Sequence, residues 1–285
     1  MKLRIQHRTT YQYSEKVTFG PHRMLLRPRE GHDIQIEQSV LEVSPAHRID
    51  WIRDVYGNSI AVAHFTERAS QLMVYSDLIL HHFETNPFDF QIEPEAVHYP
   101  FAYDEETSLE LAALIQPAYQ DDAECVRKWL GQFWLPGQTI DTLALLQQIN
   151  SHIHHTCQYQ IRHEPGVQSP SRTLDSNRGS CRDFATLFIE ACRCLGLGAR
   201  FVSGYILSGG AGASTHAWAE VYLPGGGWKG FDPTMGLLTI SQHVPVAVSR
   251  HPESASPISG SFTGPVSAFQ GVQVSVQVEA LASTV

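Results

Sequence analysis

The sequence predicts an α+β protein, in which an N-terminal antiparallel β-sandwich precedes a core of helices packed on an antiparallel sheet. Three patterns support this prediction. Short alternating apolar segments separated by Gly and Pro occupy the first hundred residues. Apolar residues three and four apart predict helices over 104–156, and strand and helix patterns mix over 157–240. We therefore divide the chain into a β-rich domain (1–100), a core (101–245) and a Ser/Pro/Gly-rich segment (246–285) that ends in a strand.

The composition disfavours several classes of protein. Of the 285 residues, 42% are hydrophobic and 17% are charged, so the chain can bury a core and is not disordered throughout. Lys and Arg number 20 against 29 Asp and Glu, and the net charge of −9 disfavours a nucleic-acid partner. The sequence has neither an apolar run that could span a membrane nor a secretory signal after Met1. We therefore expect a cytoplasmic protein without a membrane partner.

Local patterns predict the individual elements. Leu3–His7 and Leu72–Leu80 alternate as strands do, and Asp54–Ser59 is typical of a hairpin turn. Asp141 can cap a helix, because its carboxylate can accept hydrogen bonds from the first free N–H groups. The alternating segment Val272–Val278 predicts a final strand, which needs a sheet. We suspect that it returns to the N-terminal sandwich.

The five cysteines do not indicate a disulfide framework, because their number is odd and their spacing irregular. Cys192 and Cys194 are two residues apart on a predicted amphipathic helix, so they point to different sides and cannot share a small metal site. A catalytic or buried thiol is the better interpretation.

Cys181 stands at the start of that helix, directly after Gly179 and Ser180. Free N–H groups and the helix dipole favour an anion there, which lowers the pKa of a thiol and favours the nucleophilic thiolate. The same N–H groups can donate hydrogen bonds to the negative oxygen of a tetrahedral intermediate. Asp183, in the first helical turn, is expected to complement the dipole.

A thiol nucleophile needs a base and an acceptor that orients the base. His216 begins one predicted strand, and Asp232 ends the next strand of the same hairpin, whose turn centres near Gly225 and Gly226. Counting from this turn places the two nearly opposite, if a bulge is allowed. A single Cys, His or Asp in such a position more often has a structural role than a catalytic one. The sequence contexts of Cys181, His216 and Asp232 together favour a Cys-His-Asp site.

These residues stand in three blocks that resemble the transglutaminase-like cysteine enzymes, including the bacterial members described as cysteine proteases. Gly179–Ala185, continuing through Ala191–Tyr205, resembles the nucleophile block of that family. His216–Val221 and Gly227–Thr234 resemble its histidine and aspartate blocks, in the same order. Tyr11–Tyr13 and Pro21–Pro28 resemble the β-rich region that precedes this core in bacterial members.

The resemblance implies a papain-like core, with a helix presenting Cys181 against a sheet presenting His216 and Asp232. It also implies acyl transfer at amides through a thioester. In animal transglutaminases an upstream tryptophan helps to stabilise the oxyanion, and Tyr159 is the candidate here by position. Trp218 is either a core residue or a substrate contact. No calcium loop or other cofactor motif occurs, so neither a cofactor nor a metal is expected.

Three functions stay open, with a peptide or protein as the partner in each. The first is hydrolysis of peptide-like amides, the second is transfer to an amine, and the third is non-catalytic peptide binding. Adding an amine to a trial substrate would separate the first two, and binding without turnover would favour the third. A pair of histidines, His152 and His155, is a weak metal candidate because no partner stands at a familiar spacing. Glycines 209, 210 and 212 suggest a loop that gates Cys181.

Overall fold

The computed structural model describes residues 1–83, 86, 88–162, 164–207 and 214–281. The glycines expected to form a gating loop, at positions 209, 210 and 212, lie outside the described residues. The helices are α1 (Glu105–Ile115), α2 (Ala123–Leu130), α3 (Thr142–Thr156), α4 (Pro170–Ser176) and α5 (Cys181–Cys194). The strands, in chain order, are β1 (Lys2–Phe19), β2 (His22–Met24), β3 (Ile34–Ser44), β4 (His47–Arg53), β5 (Ser59–Phe65), β6 (Ala69–His82), β7 (His98–Tyr99), β8 (Ile140–Asp141), β9 (Gln158–Tyr159), β10 (Arg178–Gly179), β11 (Ala199–Ile206), β12 (Ser214–Leu223), β13 (Gly227–Asp232), β14 (Leu237–Leu238), β15 (His243–Ser249), β16 (Ile258–Ser259), β17 (Phe262–Thr263) and β18 (Phe269–Leu281).

The N-terminal region is a sandwich of two antiparallel sheets. One sheet has the order β18, β1, β6 and β3, with β17 paired to the end of β1, and the other has the order β16, β2, β5 and β4. Apolar residues of the two sheets, including Met24, Ala61 and Val74, pack together between them. The segments predicted as separate strands at Leu3–His7 and Val17–Phe19 belong to one long strand, β1.

The last strand closes this sandwich. β18 pairs antiparallel with β1, from Lys2 opposite Leu281 to Tyr13 opposite Phe269. The alternation of Val272–Val278 thus lies along the edge of the N-terminal sheet. Strands β1 and β18 lie in the same sheet, so the core is inserted between strands of the sandwich.

The core is an antiparallel sheet covered by helices. Its strand order is β14, β13, β12, β11 and β15, and α5 packs against β11 and β12. Asp141 caps α3, since its carboxylate accepts the N–H of Ala144 at 2.7 Å. Within the described residues, no helix is long and apolar enough to cross a membrane.

Helix α5 differs from the amphipathic helix that the sequence predicts, because it is buried on every side over Asp183–Arg193. Its charged residues are paired inside the protein. Glu190 lies 2.6 Å from Arg193 and accepts the backbone N–H groups of Ala118 and Tyr119. Because these partners replace water, the polar side of the helix can be covered.

The sandwich and the core share one hydrophobic interior. Leu3, Ile5 and Leu80 of the sandwich belong to the same buried cluster as Phe184 and Phe188 of α5. This continuity fixes the core sheet against the N-terminal sheet.

Candidate active site

The start of α5 holds Cys181 beside a short parallel pair of strands. In this pair, Tyr159 of β9 lies opposite Gly179 of β10, two residues before the cysteine. A Cβ at Gly179 would lie 2.9 Å from Cβ of Asp183 and 3.0 Å from a ring carbon of Phe184. Glycine is therefore required for the tight approach that brings the chain into the helix.

Asp183 holds this helix start in place. Its Oδ2 accepts hydrogen bonds from the N–H and the Oγ of Ser180, at 2.8 and 2.7 Å. Its Oδ1 accepts from Nη1 of Arg162 and from the N–H of Gln168, both at 2.7 Å. The sequence suggested only a dipole-complementing role for Asp183. The structure adds a buried ion pair that ties the start of α5 to the preceding loop.

His216 and Asp232 are brought into direct contact by the core sheet. Their Nε2 and Oδ2 atoms lie 2.6 Å apart, and both side chains are buried. Ala219 of β12 pairs with Phe231 of β13, so the next residues along the two strands, Trp218 and Asp232, lie opposite each other. His216 is two residues from Trp218 and therefore lies on the same face of the sheet. The sequence reasoning allowed for a bulge here, but none is needed, because diagonal neighbours on one face are within side-chain reach.

The surroundings of this pair favour its charged form. Burial alone lowers the pKa of His216, but hydrogen bonds to Asp232 and Cys181 and the charges of both raise it to about 10. Burial alone raises the pKa of Asp232, whereas hydrogen bonds from His216 and His243 hold it well below its usual range. With Nε2 facing Asp232, Nδ1 is the ring nitrogen left for the thiol. The arrangement can therefore hold an imidazolium between a carboxylate and Cys181.

The two further candidates lie on either side of this group. Tyr159 is 51% exposed, and its ring meets that of Phe184 at 6.4 Å. Burial raises the pKa of Tyr159, and the charge of the nearby Cys181 adds to this. Trp218 is only 2% exposed and packs against the rings of His216 and His243. Its burial favours the packing interpretation over direct contact with a substrate.

His243 belongs to the site but was missed by sequence reasoning. Its Nε2 lies 3.1 Å from the same Oδ2 of Asp232 that faces His216. In the described residues, ligand atoms of these three side chains lie within 4.8 Å of one another, close enough for a metal ion. His152, by contrast, packs against the rings of Trp129 and Phe133. His243 stands outside the three sequence blocks, and no local pattern in the sequence marks it as a site residue.

A thiol at a helix start, facing an imidazole–carboxylate pair on a sheet, is the arrangement of the cysteine-dependent acyl-transfer enzymes. The model of the transglutaminase-like superfamily matches residues 136–233, and that of the bacterial transglutaminase-like N-terminal region matches residues 3–81. The chain therefore belongs to the transglutaminase-like superfamily, in the form that carries this bacterial N-terminal region.

Individual proteins resemble different parts of the chain. An uncharacterized protein of Mycobacterium tuberculosis is 27% identical over 277 residues, covering 91% of this chain and 87% of its own length. A peptide-N(4)-(N-acetyl-beta-glucosaminyl)asparagine amidase of Macaca fascicularis is 32% identical over 78 residues, which are 27% of this chain and 11% of that protein. A solved structure described as a "Putative Cysteine Protease" from Cytophaga hutchinsonii covers all of this chain and 92% of its own, with a TM-score of 0.76 and 20% identity. This last similarity establishes a shared fold.

Proposed function

We propose that the protein is a cysteine-dependent hydrolase of peptide-like amide bonds that works through a thioester. The observation that carries this proposal is the 2.6 Å contact of His216 with Asp232, beside a cysteine at the start of a buried helix. The pKa of His216, raised to about 10, supports an imidazolium that pairs with a Cys181 thiolate. Thiolate and imidazolium together provide the nucleophile and the acid that amide cleavage needs.

The proposed reaction begins when the Cys181 thiolate forms a C–S bond with the substrate's carbonyl carbon. The C=O electron pair moves to the oxygen, which accepts hydrogen bonds from the free N–H groups at the start of α5 and from the hydroxyl of Tyr159. The C–N bond then breaks, and His216 gives its proton to the departing nitrogen. The products of this half-reaction are a free amine and a thioester on Cys181.

Water completes the cycle. His216, now neutral, takes a proton from water as the oxygen adds to the thioester carbonyl. The C–S bond breaks, the acid product leaves, and the thiolate–imidazolium pair is restored. Asp232 keeps its charge throughout and orients the ring, as the carboxylate does in related triads.

The choice of water over an amine follows from abundance, since water reaches any exposed thioester, whereas an amine must be bound. The partner is a peptide or protein that supplies the amide. We place this activity in the cytoplasm. If the second substrate is an amine, the same thioester gives a new amide instead of an acid.

The experiment compares the wild-type protein with Cys181→Ala and, as the matched control, Cys125→Ala, which removes an exposed cysteine remote from the site. Each protein is incubated with a defined peptide library, with and without a primary amine, and the products are identified by mass spectrometry. This readout separates backbone cleavage, side-chain deamidation and amine incorporation.

We expect hydrolysis by the wild type and by Cys125→Ala, and none by Cys181→Ala. Amine incorporation that exceeds hydrolysis would replace the proposal with amine transfer. Equal turnover by Cys181→Ala would refute a cysteine mechanism. Peptide binding by both the wild type and Cys181→Ala, without any turnover, would instead indicate a binding module.

A further inference from the structure

His243 occupies the first position of β15 and lies on the face of the core sheet that carries His216 and Asp232. Its side chain is buried, and its ring meets that of Trp218 edge to face at 5.2 Å. Gly204 makes this packing possible, because a Cβ there would lie 2.7 Å from the Trp218 ring. Residues of three strands, β11, β12 and β15, therefore hold the His243 ring against Asp232.

The hydrogen bonds of His243 determine which nitrogen carries its proton. The backbone N–H of Ile240 donates to Nδ1 at 3.2 Å, so Nδ1 presents its lone pair and the proton is on Nε2. Nε2–H then donates to Oδ2 of Asp232 at 3.1 Å. A metal ion on Nε2 would move the proton to Nδ1, where it would face the N–H of Ile240. This conflict favours the hydrogen bond over a metal site.

Asp232 therefore has a full set of donors. Its Oδ1 accepts the N–H groups of Thr234 and Met235, at 2.8 and 3.3 Å. Its Oδ2 is shared by His216 and His243. These bonds fix the plane of the carboxylate, and they oppose its protonation because every donor favours the charged form.

We propose that His243 is a positioning residue, which acts on His216 through Asp232 by holding the carboxylate ionised and aligned. This inference rests on the proposed function, since it assigns His243 to the same thiolate–imidazolium site. His243 does not touch the substrate. Its contribution is the alignment of the oxygen that orients the His216 ring.

The test measures how fast iodoacetamide alkylates Cys181 between about pH 5 and pH 9, which requires no substrate. His243→Leu removes the donor, whereas His243→Gln keeps an amide N–H at a similar reach. The charged and titratable groups that face His243 are His216 on β12, Asp232 on β13 and His82 at the end of β6. The control is His64→Gln, which replaces a histidine on β5 that contacts Asp50, outside the site.

We expect the alkylation rate of Cys181 near pH 6 to be about 10- to 100-fold lower in His243→Leu than in the wild type. This is the loss expected when a hydrogen bond to a charged acceptor is removed. The pH below which the alkylation rate falls should also be higher in His243→Leu, because the Asp232 carboxylate is protonated more readily when it has one hydrogen-bond donor fewer. His243→Gln should recover most of the rate, and His64→Gln should resemble the wild type. Thermal melts identify any variant that is simply unfolded. With a substrate in hand, kcat should fall and KM should stay unchanged.

A second variant keeps the test independent of folding defects. His243 lines a cavity of about 620 Å³ between the end of β6 and the core sheet, which gives a small molecule access to its position. We expect added imidazole to restore alkylation of Cys181 in His243→Gly.

Other results would overturn the inference. If the wild type shows the low-pH reactivity and His243→Leu matches it, the role of His243 fails while the proposed function stands. If the wild-type Cys181 shows no such reactivity, both fail. If Zn²⁺ protects Cys181 in the wild type and not in His243→Gln, the cluster is a metal site, and the positioning role is wrong.

Discussion

Replacing Asp232 with Asn should remove the charge that stabilises the His216 imidazolium while keeping the shape of the side chain. The carboxylate is fully buried and lies 2.6 Å from the ring, so few other substitutions change the electrostatics with so little change in packing. The amide can still accept the N–H of Thr234, which holds it in the same place. We therefore expect a folded protein with an altered pH dependence.

The magnitude follows from the pKa of His216, which the site raises from 6.5 to about 10. At pH 8 an imidazole with a pKa near 10 is about 99% protonated, whereas one at its ordinary value is about 3% protonated. Loss of Asp232 can thus lower the fraction of His216 in the imidazolium form by up to 30-fold, roughly, at pH 8. This imidazolium is the acid proposed to protonate the leaving amine. Near pH 5 both forms are protonated, so the loss should shrink.

The assay is the rate of Cys181 alkylation by iodoacetamide, mapped by mass spectrometry, with Cys125 as the internal reference. An ordinary thiol is only about 0.3% thiolate at pH 6. We expect wild-type Cys181 to react at pH 6 almost as fast as at pH 8. In Asp232→Asn we expect the alkylation rate to fall most near pH 8, where an imidazole of ordinary pKa is only about 3% protonated, and least near pH 5, where both proteins hold the imidazolium. Unchanged alkylation at pH 8 in Asp232→Asn would refute the reasoning, as would an equal loss at every pH.

Three further variants test separate parts of the structure. Tyr159→Phe removes a proposed oxyanion donor, so kcat should fall about 100-fold while KM and Cys181 alkylation stay unchanged; an unchanged kcat would contradict the role. Gly204→Ala places a Cβ against the Val244 backbone oxygen and 2.7 Å from the Trp218 ring, and should lower the free energy of unfolding by about 1–3 kcal/mol in a urea melt. Burial lowers the pKa of His7 from 6.5 to about 4, so below pH 6.5 the unfolded chain binds a proton that the folded protein does not. Between pH 7 and pH 5 the free energy of unfolding should therefore fall by about 2 kcal/mol from this residue, and His7→Gln should flatten that fall in urea melts at the two pH values.

One hairpin of the core sheet could be predicted from local patterns. Its predicted turn near Gly225 and Gly226 joins β12 to β13. This pattern is strong because three consecutive glycines separate the two predicted strands. The meeting of His216 and Asp232 follows from the hairpin, since both positions are set by counting from one turn.

Other features depend on contacts between distant segments, which local patterns do not contain. The burial of Glu190 and Arg193 in α5 depends on backbone groups from the α1–α2 connection and from β11. The short helix α4 begins at Pro170 in a stretch that resembles a loop. His243 on β15 and Asp232 on β13 are separated in the core sheet by β11 and β12, and only their side chains meet, at 3.1 Å. The strand that carries His243 was not predicted from the sequence, and the fold alone gives this histidine its partner.

The N-terminal sandwich has a structural connection to the site that its sequence does not suggest. Strand β6 ends at His82, which is buried beside the cavity behind Asp232. Burial lowers the pKa of His82, and a hydrogen bond to the backbone of His243 opposes this. A continuous set of contacts thus leads from β6 through His243 and Asp232 to His216. Because β6 also contributes Leu80 to the interior shared with α5, the sandwich supports both the helix that begins at Cys181 and the His216–Asp232 pair.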